Sequence, residues 1–125
     1  MTALASGGIE AGLLTLGKQL VARHELTKAE KVFHRLLLLS PDNTQYLHQE
    51  IQLLARLNKA DSAVPLANRL IKMSPRDADA HRQMASLLIL RKSYQASISE
   101  AKAAHELDPG DLKAQLQLTN SLWMS

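Results

Sequence analysis

Leu39-Ser40-Pro41, Met73-Ser74-Pro75 and Leu107-Asp108-Pro109 stand 34 residues apart, and each closes an apolar run with helical spacing. Proline cannot continue a helix interior, because it lacks the N–H the ladder needs and its ring strikes the carbonyl four residues back. Two residues after each proline comes a side chain suited to cap a new helix: Asn43, Asp77 and Asp111. Leu20, Leu54, Leu88 and Leu122 recur at the same interval. Stop, cap and core leucine share one period, so the chain is an internal repeat. Its function is to be sought on the surface that stacking of the units creates.

The period divides the chain into units beginning at Glu10, Thr44 and Ala78, with a half-unit from Leu112. Two helices per unit give repeats over about 10–43, 44–77 and 78–111, a final helix over 112–124, and residues 1–8 as a flexible N-terminal lead-in. Helices should turn over near 24–27, 40–43, 58–61, 74–77, 91–94 and 108–111, to within ~2–4 residues. The first should run from Ile9 to His24. Thr27-Lys28-Ala29-Glu30 has the spacing of a capping box and should open the second. Asn58 suits a left-handed turn, and a cap at Asp61 or Ser62 would put Pro65 in the first turn of the helix that follows. Tyr94-Gln95-Ala96-Ser97 opens the sixth helix. Close helix approach needs short side chains, so Gly17 should face Ala29 and Ala85 should face Ser97.

Composition narrows the function classes. With 125 residues, 46% hydrophobic and 22% charged, the chain fits one globular domain. Aromatics are only 3%, which points to a Leu/Ala core of stacked helices and away from a β-sandwich. Without cysteine there is no disulfide framework, cysteine-based zinc site or thiol chemistry. The opening Met1 to Gly8 has no basic n-region or long apolar stretch, and no later segment approaches ~18 apolar residues, so a cytoplasmic protein is expected. A net charge of +3 with scattered Lys and Arg, and too few aromatics for stacking platforms, argues against a nucleic-acid partner. Every apolar stripe has a neighbouring helix to pack on, which argues against a membrane partner.

A 34-residue period of helix pairs resembles the tetratricopeptide repeat (TPR). The first unit carries the resemblance best, with Leu16-Gly17, Ala29, Phe33 and Pro41, and Tyr94 matches a tyrosine of the pattern. The second departs from it at Glu50, Ile51 and Ala67. The resemblance implies an all-α TPR helical-hairpin solenoid of three repeats plus one extra helix. It also implies a concave groove lined by the first helix of each unit. Carried over position by position, it selects Leu14, Lys18, Gln45, His48, Gln49, Gln52, Arg82, Gln83, Ser86, Lys113, Asn120 and Trp123 as partner-binding residues. Apolar at its start, rich in glutamine in its middle and more basic than acidic, such a groove suits a neutral-to-acidic peptide or an amphipathic helix of another protein. TPR domains that hold the C-terminal carboxylates of heat-shock proteins use Lys, Asn and Arg at five groove positions, where this chain has Leu14, Lys18, Gln49, Asp79 and Gln83. All five differ, so that recognition is not expected. In size the chain is similar to the small TPR chaperones of bacterial type III secretion. A general assembly adaptor, the TPR domain of a larger protein, and an enzyme-associated regulatory or nucleic-acid-binding domain are the competing readings.

No catalytic, cofactor or metal residue is assigned. The five histidines, at 24, 34, 48, 81 and 105, include no pair three or four residues apart and no His-Glu-x-x-His. No Gly-x-Ser-x-Gly elbow is present, Gly7-Gly8 alone is not a phosphate loop, and Asp77 and Asp79 read as a cap and a first-turn charge. His24 and His105 are expected to be solvated. The last helix carries Leu112, Leu116, Leu118, Leu122, Trp123 and Met124, more apolar surface than one contact stripe can use. That end is expected to meet a second copy, as a homodimer through the C-terminal helix, or the partner.

Overall fold

The computed structural model describes the backbone of residues 2–125 and the side chains of residues 8–125. Among them lie seven helices and no strand: α1 (Thr2–Ala22), α2 (Leu26–Leu39), α3 (Thr44–Arg56), α4 (Ala60–Met73), α5 (Ala78–Leu90), α6 (Tyr94–Leu107) and α7 (Leu112–Met124). The chain divides into two compact units, Met1–Asn58 with α1 to α3 and Lys59–Ser125 with α4 to α7. The division falls inside the second repeat, after its first helix.

Two kinds of turn alternate, each with its own cause. At Ser40-Pro41-Asp42-Asn43 the Asn43 N–H donates to the Ser40 carbonyl at 3.2 Å, and Asp77 and Asp111 do the same to Ser74 and Asp108 at 3.1 Å. Proline stands second in each turn, where its fixed φ fits and no donor is required. The cap then starts the next helix: Asn43 accepts from the Tyr46 N–H, Asp77 from Asp79 and Asp111 from Lys113. The other turns run through His24, Asn58 and Lys92, whose φ values are 60°, 62° and 61°. Glu25 N–H reaches back to the Leu20 carbonyl at 2.9 Å and Ser93 N–H to Leu88 at 2.8 Å, which closes the ends of α1 and α5 in the Schellman manner. Asn58 has the side chain for this conformation. His24 and Lys92 adopt it at about 1–2 kcal/mol because those hydrogen bonds hold them there.

Three sequence expectations are corrected. The backbone is helical from Thr2, so residues 2–8 of the expected lead-in are not set apart from a helix starting at Ile9; Ala3, Leu4 and Ala5 are good helix formers, and a glycine weakens a helix by only ~1 kcal/mol. α2 starts at Leu26 behind Glu25, with no side-chain cap, so Thr27 lies inside the helix and the capping box does not form. α4 starts at Ala60, which makes Pro65 its sixth residue instead of a first-turn residue. In both cases the chain leaves a left-handed turn already directed into the second helix, and the helix starts before a side-chain cap is reached.

In unit 1, Phe33, Leu36, Leu47 and Ile51 are fully buried, with Leu20 and Leu54 beside them. Gly17 lies under the Phe33 ring. A Cβ there would stand 2.8 Å from Phe33 Cε2, closer than carbon atoms tolerate. The expected partner Ala29, one turn before Phe33, is itself fully buried.

Unit 2 has a core of small residues, with Ala80, Ala85, Ala101, Ala104 and Ala114 inaccessible and Met84, Leu87 and Ile98 filling between them. Ser97 Oγ lies 3.1 Å from the Ala85 carbonyl, as the sequence pairing of those residues requires, and 2.6 Å from Ser121 Oγ. Ser121 Oγ is also 2.8 Å from the Gln117 carbonyl. Two hydroxyl protons cannot serve three contacts at once; the short separation of the hydroxyls favours one proton between them, which ties α6 to α7 and leaves the other for one of the two carbonyls. The leucine series is graded: Leu54 is buried, Leu88 only half-buried, and Leu122 is 53% exposed.

Candidate functional site

Five of the twelve sequence-selected residues gather in unit 1. Leu14 and Lys18 come from one face of α1, and Gln45, His48 and Gln49 from one face of α3. With Phe33 and Tyr46 they line a pocket of about 260 Å³. Lys18 is exposed and Leu14 half-buried, so a cation stands beside an apolar floor. No carboxylate is among the lining residues. Beside it, Glu10 accepts from Ser40 Oγ at 2.6 Å and from the Tyr46 hydroxyl at 3.4 Å, tying α1 to the start of α3. Burial and the adjacent Glu10 carboxylate push the Tyr46 pKa up, so the phenol keeps its proton. Gln52, one turn beyond Gln49, is exposed and does not line the pocket.

Phe33 and Tyr46 escaped selection because the groove register admits only first-helix positions of one face. Phe33 lies on a second helix, and its signal was the glycine opposite it. Tyr46 lies at the third position of its unit.

The unit 2 residues are occupied differently. Arg82 pairs with Asp79 one turn earlier and lies 3.5 Å from Asp111 on the turn before α7, so its charge is answered within the unit. Gln117 Nε2 donates to Ser86 Oγ and joins α7 to α5. The Oε1 atoms of Gln83 and Gln117 are both shielded from solvent and accept no hydrogen bond. A buried amide oxygen without a donor weakens a fold by roughly 1–3 kcal/mol. Lys113 and Asn120 are exposed on α7, and Trp123 is 88% exposed.

His81, one residue before Arg82, is fixed at both ring nitrogens: Nδ1 lies 2.7 Å from Glu100 Oε2 and Nε2 lies 2.8 Å from the Pro75 carbonyl. Burial opposes its charge, but the hydrogen bond to Glu100, the Pro75 carbonyl, and the charges of Glu100 and Asp77 outweigh burial and raise its pKa. Both neighbours are acceptors, and only the imidazolium donates to both. His105, expected to be solvated, is half-buried with Nδ1 out of solvent.

Histidine-pair spacing gives no sign of Glu30, His34 and Glu50 as a group. These bring one ligand atom each to within 4.8 Å of one another, with Glu50 buried and His34 Nδ1 3.6 Å from Glu50 Oε2. Ligands of one zinc ion sit ~2.0–2.2 Å from the metal, so the side chains would have to close in before they could share it. As placed, His34 and Glu50 form an ion pair between α2 and α3 when His34 is protonated. Among the described residues, no helix is long and apolar enough to cross a membrane.

Alternating prolyl and left-handed turns, a 34-residue period and paired antiparallel helices define an all-α helical-hairpin repeat domain of the TPR helical-hairpin solenoid class. No family model matches the sequence, and no curated protein matches it. Solved structures do match in fold. The MamA RS-1 ArsTM double mutant has a TM-score of 0.84 at 20% identity, over 90% of this chain and 63% of that one. The Sgt2 TPR domain from Aspergillus fumigatus has a TM-score of 0.82 at 16% identity, over 91% of this chain and 77% of that one. The first TPR of Spaghetti (RPAP3), bound to the HSP90 peptide SRMEEVD, has a TM-score of 0.84 at 14% identity, over 91% and 90%. The chain thus spans less than two thirds of the MamA chain. The fold is that of the tetratricopeptide repeat, as the sequence resemblance implied.

Proposed function

We propose that this chain is a non-catalytic interaction module whose groove-position residues hold a peptide or amphipathic helix of another protein. The observation that carries the reading is the unit 1 pocket, where Leu14, Lys18, Gln45, His48 and Gln49 meet although they were selected only by repeat register. An apolar floor beside an uncontested lysine favours an apolar side chain flanked by neutral or acidic residues. Peptide binding by the RPAP3 domain gives the reading a precedent on the same fold. This chain would use other contacts, since the five positions that grip a terminal carboxylate carry Leu14, Lys18, Gln49, Asp79 and Gln83 here, all differing from the residues that grip it.

The narrower form, a cytoplasmic chaperone for a component of a bacterial secretion system, rests on resemblance in size. On α7, exposed Leu112, Leu116 and Trp123 supply a second contact, with the same partner or with a second copy of the chain. Peptides of twelve residues selected on the folded chain from a random displayed library test the reading. Gln49→Trp fills the pocket and Lys18→Glu reverses its charge, and each should weaken binding tenfold or more while the melting temperature stays within ~2 °C. Unchanged affinity in both variants overturns the proposal.

A further inference from the structure

Glu50 is a carboxylate with almost no exposed surface, set on α3 among the buried residues of unit 1. The repeat does not require it: one period earlier and one later, the same register position carries Leu16 and Met84. A buried carboxylate is costly unless positive charge balances it. From α2, His34 brings Nδ1 to 3.6 Å from Glu50 Oε2, and an imidazole is a cation only while protonated. Glu30 stands one helical turn before His34 on the same face and adds a second carboxylate. Two carboxylates and one imidazole carry net negative charge in either form of the ring.

The three residues also occur as a set. One period on, the equivalent positions hold Val64, Asn68 and Met84; two periods on, they hold Ile98, Lys102 and Leu118. Neither set contains a histidine or a carboxylate. Ligand-bearing side chains therefore stand at all three points of the crossing of α2 with α3, and in neither of its repeats.

The geometry is close to what one ion requires. The three ligand atoms lie within 4.8 Å of one another. Two ligands of a tetrahedral zinc ion stand about 3.3–3.6 Å apart, the separation His34 and Glu50 already have. Glu30 is half-buried and His34 exposed, so rotation of these two side chains supplies the remaining roughly one ångström while Glu50 stays in place. The ligand types select the metal. Calcium and magnesium take oxygen ligands, whereas an imidazole with carboxylates suits zinc and its first-row neighbours. A divalent ion cancels both carboxylates with the ring neutral, and the exposed side of His34 gives entry from solvent and room for a water as fourth ligand.

We propose that Glu30, His34 and Glu50 bind one divalent transition-metal ion, of which zinc is the representative, and that the ion joins α2 to α3 within unit 1. None of the three lines the pocket, so the site is independent of what the pocket holds. Its role is structural: it fixes α3, the helix that supplies Gln45, His48 and Gln49.

The test uses the intact chain without a histidine tag, stripped of metal by a chelator and titrated with zinc chloride in a calorimeter. One ion should bind per chain and raise the melting temperature, because an ion that binds only the folded chain stabilises it. His34→Ala and Glu50→Met should each weaken binding by about tenfold or more, at least what loss of an outer-shell partner costs, and Glu30→Gln should weaken it less. Methionine is the residue the repeat itself carries at the position of Glu50, and melts without zinc check that each variant is folded. His24→Asn, which removes an exposed imidazole elsewhere in the unit, should bind as the parent does. Absence of zinc binding, or equal affinity in the parent and His34→Ala, overturns the proposal. Loss in His34→Ala alone, with Glu30→Gln and Glu50→Met unchanged, marks an isolated surface imidazole and overturns it as well.

Discussion

In unit 1 the crossing of α1 and α2 is closed by the Phe33 ring lying on Gly17, whereas the corresponding crossing in unit 2 joins Ala85 of α5 to Ser97 of α6 through a hydroxyl on a carbonyl. The positions correspond through the repeat: Ala85 stands two periods after Gly17, Ser97 two after Ala29 and Ala101 two after Phe33. Where the ring becomes a methyl, the glycine gains one. The unit 2 pair is smaller, two methyls in place of one benzyl group, and the glue changes from apolar contact to hydrogen bonds. The polar surfaces differ likewise. Unit 1 leaves Lys18 open beside a pocket; unit 2 holds Arg82 internally and leaves two amide oxygens unserved. One repeat register can therefore carry two side-chain chemistries, because it fixes where a side chain goes and not what it does there.

The strongest way to break this contrast is to remove the ring. Phe33→Ala should destabilise by ~3–5 kcal/mol, while Gly17→Ala should cost ~1–3 kcal/mol through overpacking against the ring. In the Phe33→Ala background the added methyl should cost far less, since it then reproduces the Ala85/Ala101 pairing of unit 2. Denaturant melts of the four proteins give the coupling. Additive effects would mean that ring and glycine are not complementary.

In unit 2, Ser97→Ala should destabilise by about 1 kcal/mol, with Ser121 left to its Gln117 carbonyl. A loss of ~3–5 kcal/mol on the same melts would mean that the hydroxyl pair matters as much as the ring does in unit 1. The smallest effect depends on pH. His81 has a raised pKa in the folded chain, so its contribution is fully present below the unfolded value near 6.5 and is lost as pH rises through the higher folded value. Stability of the parent minus that of His81→Gln should therefore fall between pH 5.5 and 8.5. A difference that stays flat, or rises, contradicts the arrangement with Glu100 and Pro75.

Proline followed by Asn or Asp made three turns legible, since each residue has a local steric or hydrogen-bonding reason to be there. The left-handed turns were legible only at Asn58. His24 and Lys92 take the same conformation through carbonyls of the preceding helix, which residue type does not reveal. Pro65 misled for a related reason: its preference for a first turn is weaker than the turn that starts α4 at Ala60.

Leu122 shares a period with buried Leu20 and Leu54, but periodicity cannot say whether a helix follows to cover it. In the candidate site, register found five of the seven pocket residues and missed Phe33 and Tyr46, which enter from outside the groove positions. The shielded oxygens of Gln83 and Gln117 were invisible for another reason. A glutamine on a helix surface is ordinary until the structure shows which of its atoms has lost water.

Backbone and side-chain NMR spectra of the labelled chain, titrated with a selected peptide, show whether groove-position residues bind it. Saturable shifts are expected at Leu14, Lys18, Gln45 and Gln49, with Lys28, Leu38 and Lys102 unmoved. Shifts confined to those last residues, with the pocket signals unmoved at saturation, would contradict peptide binding by the groove positions.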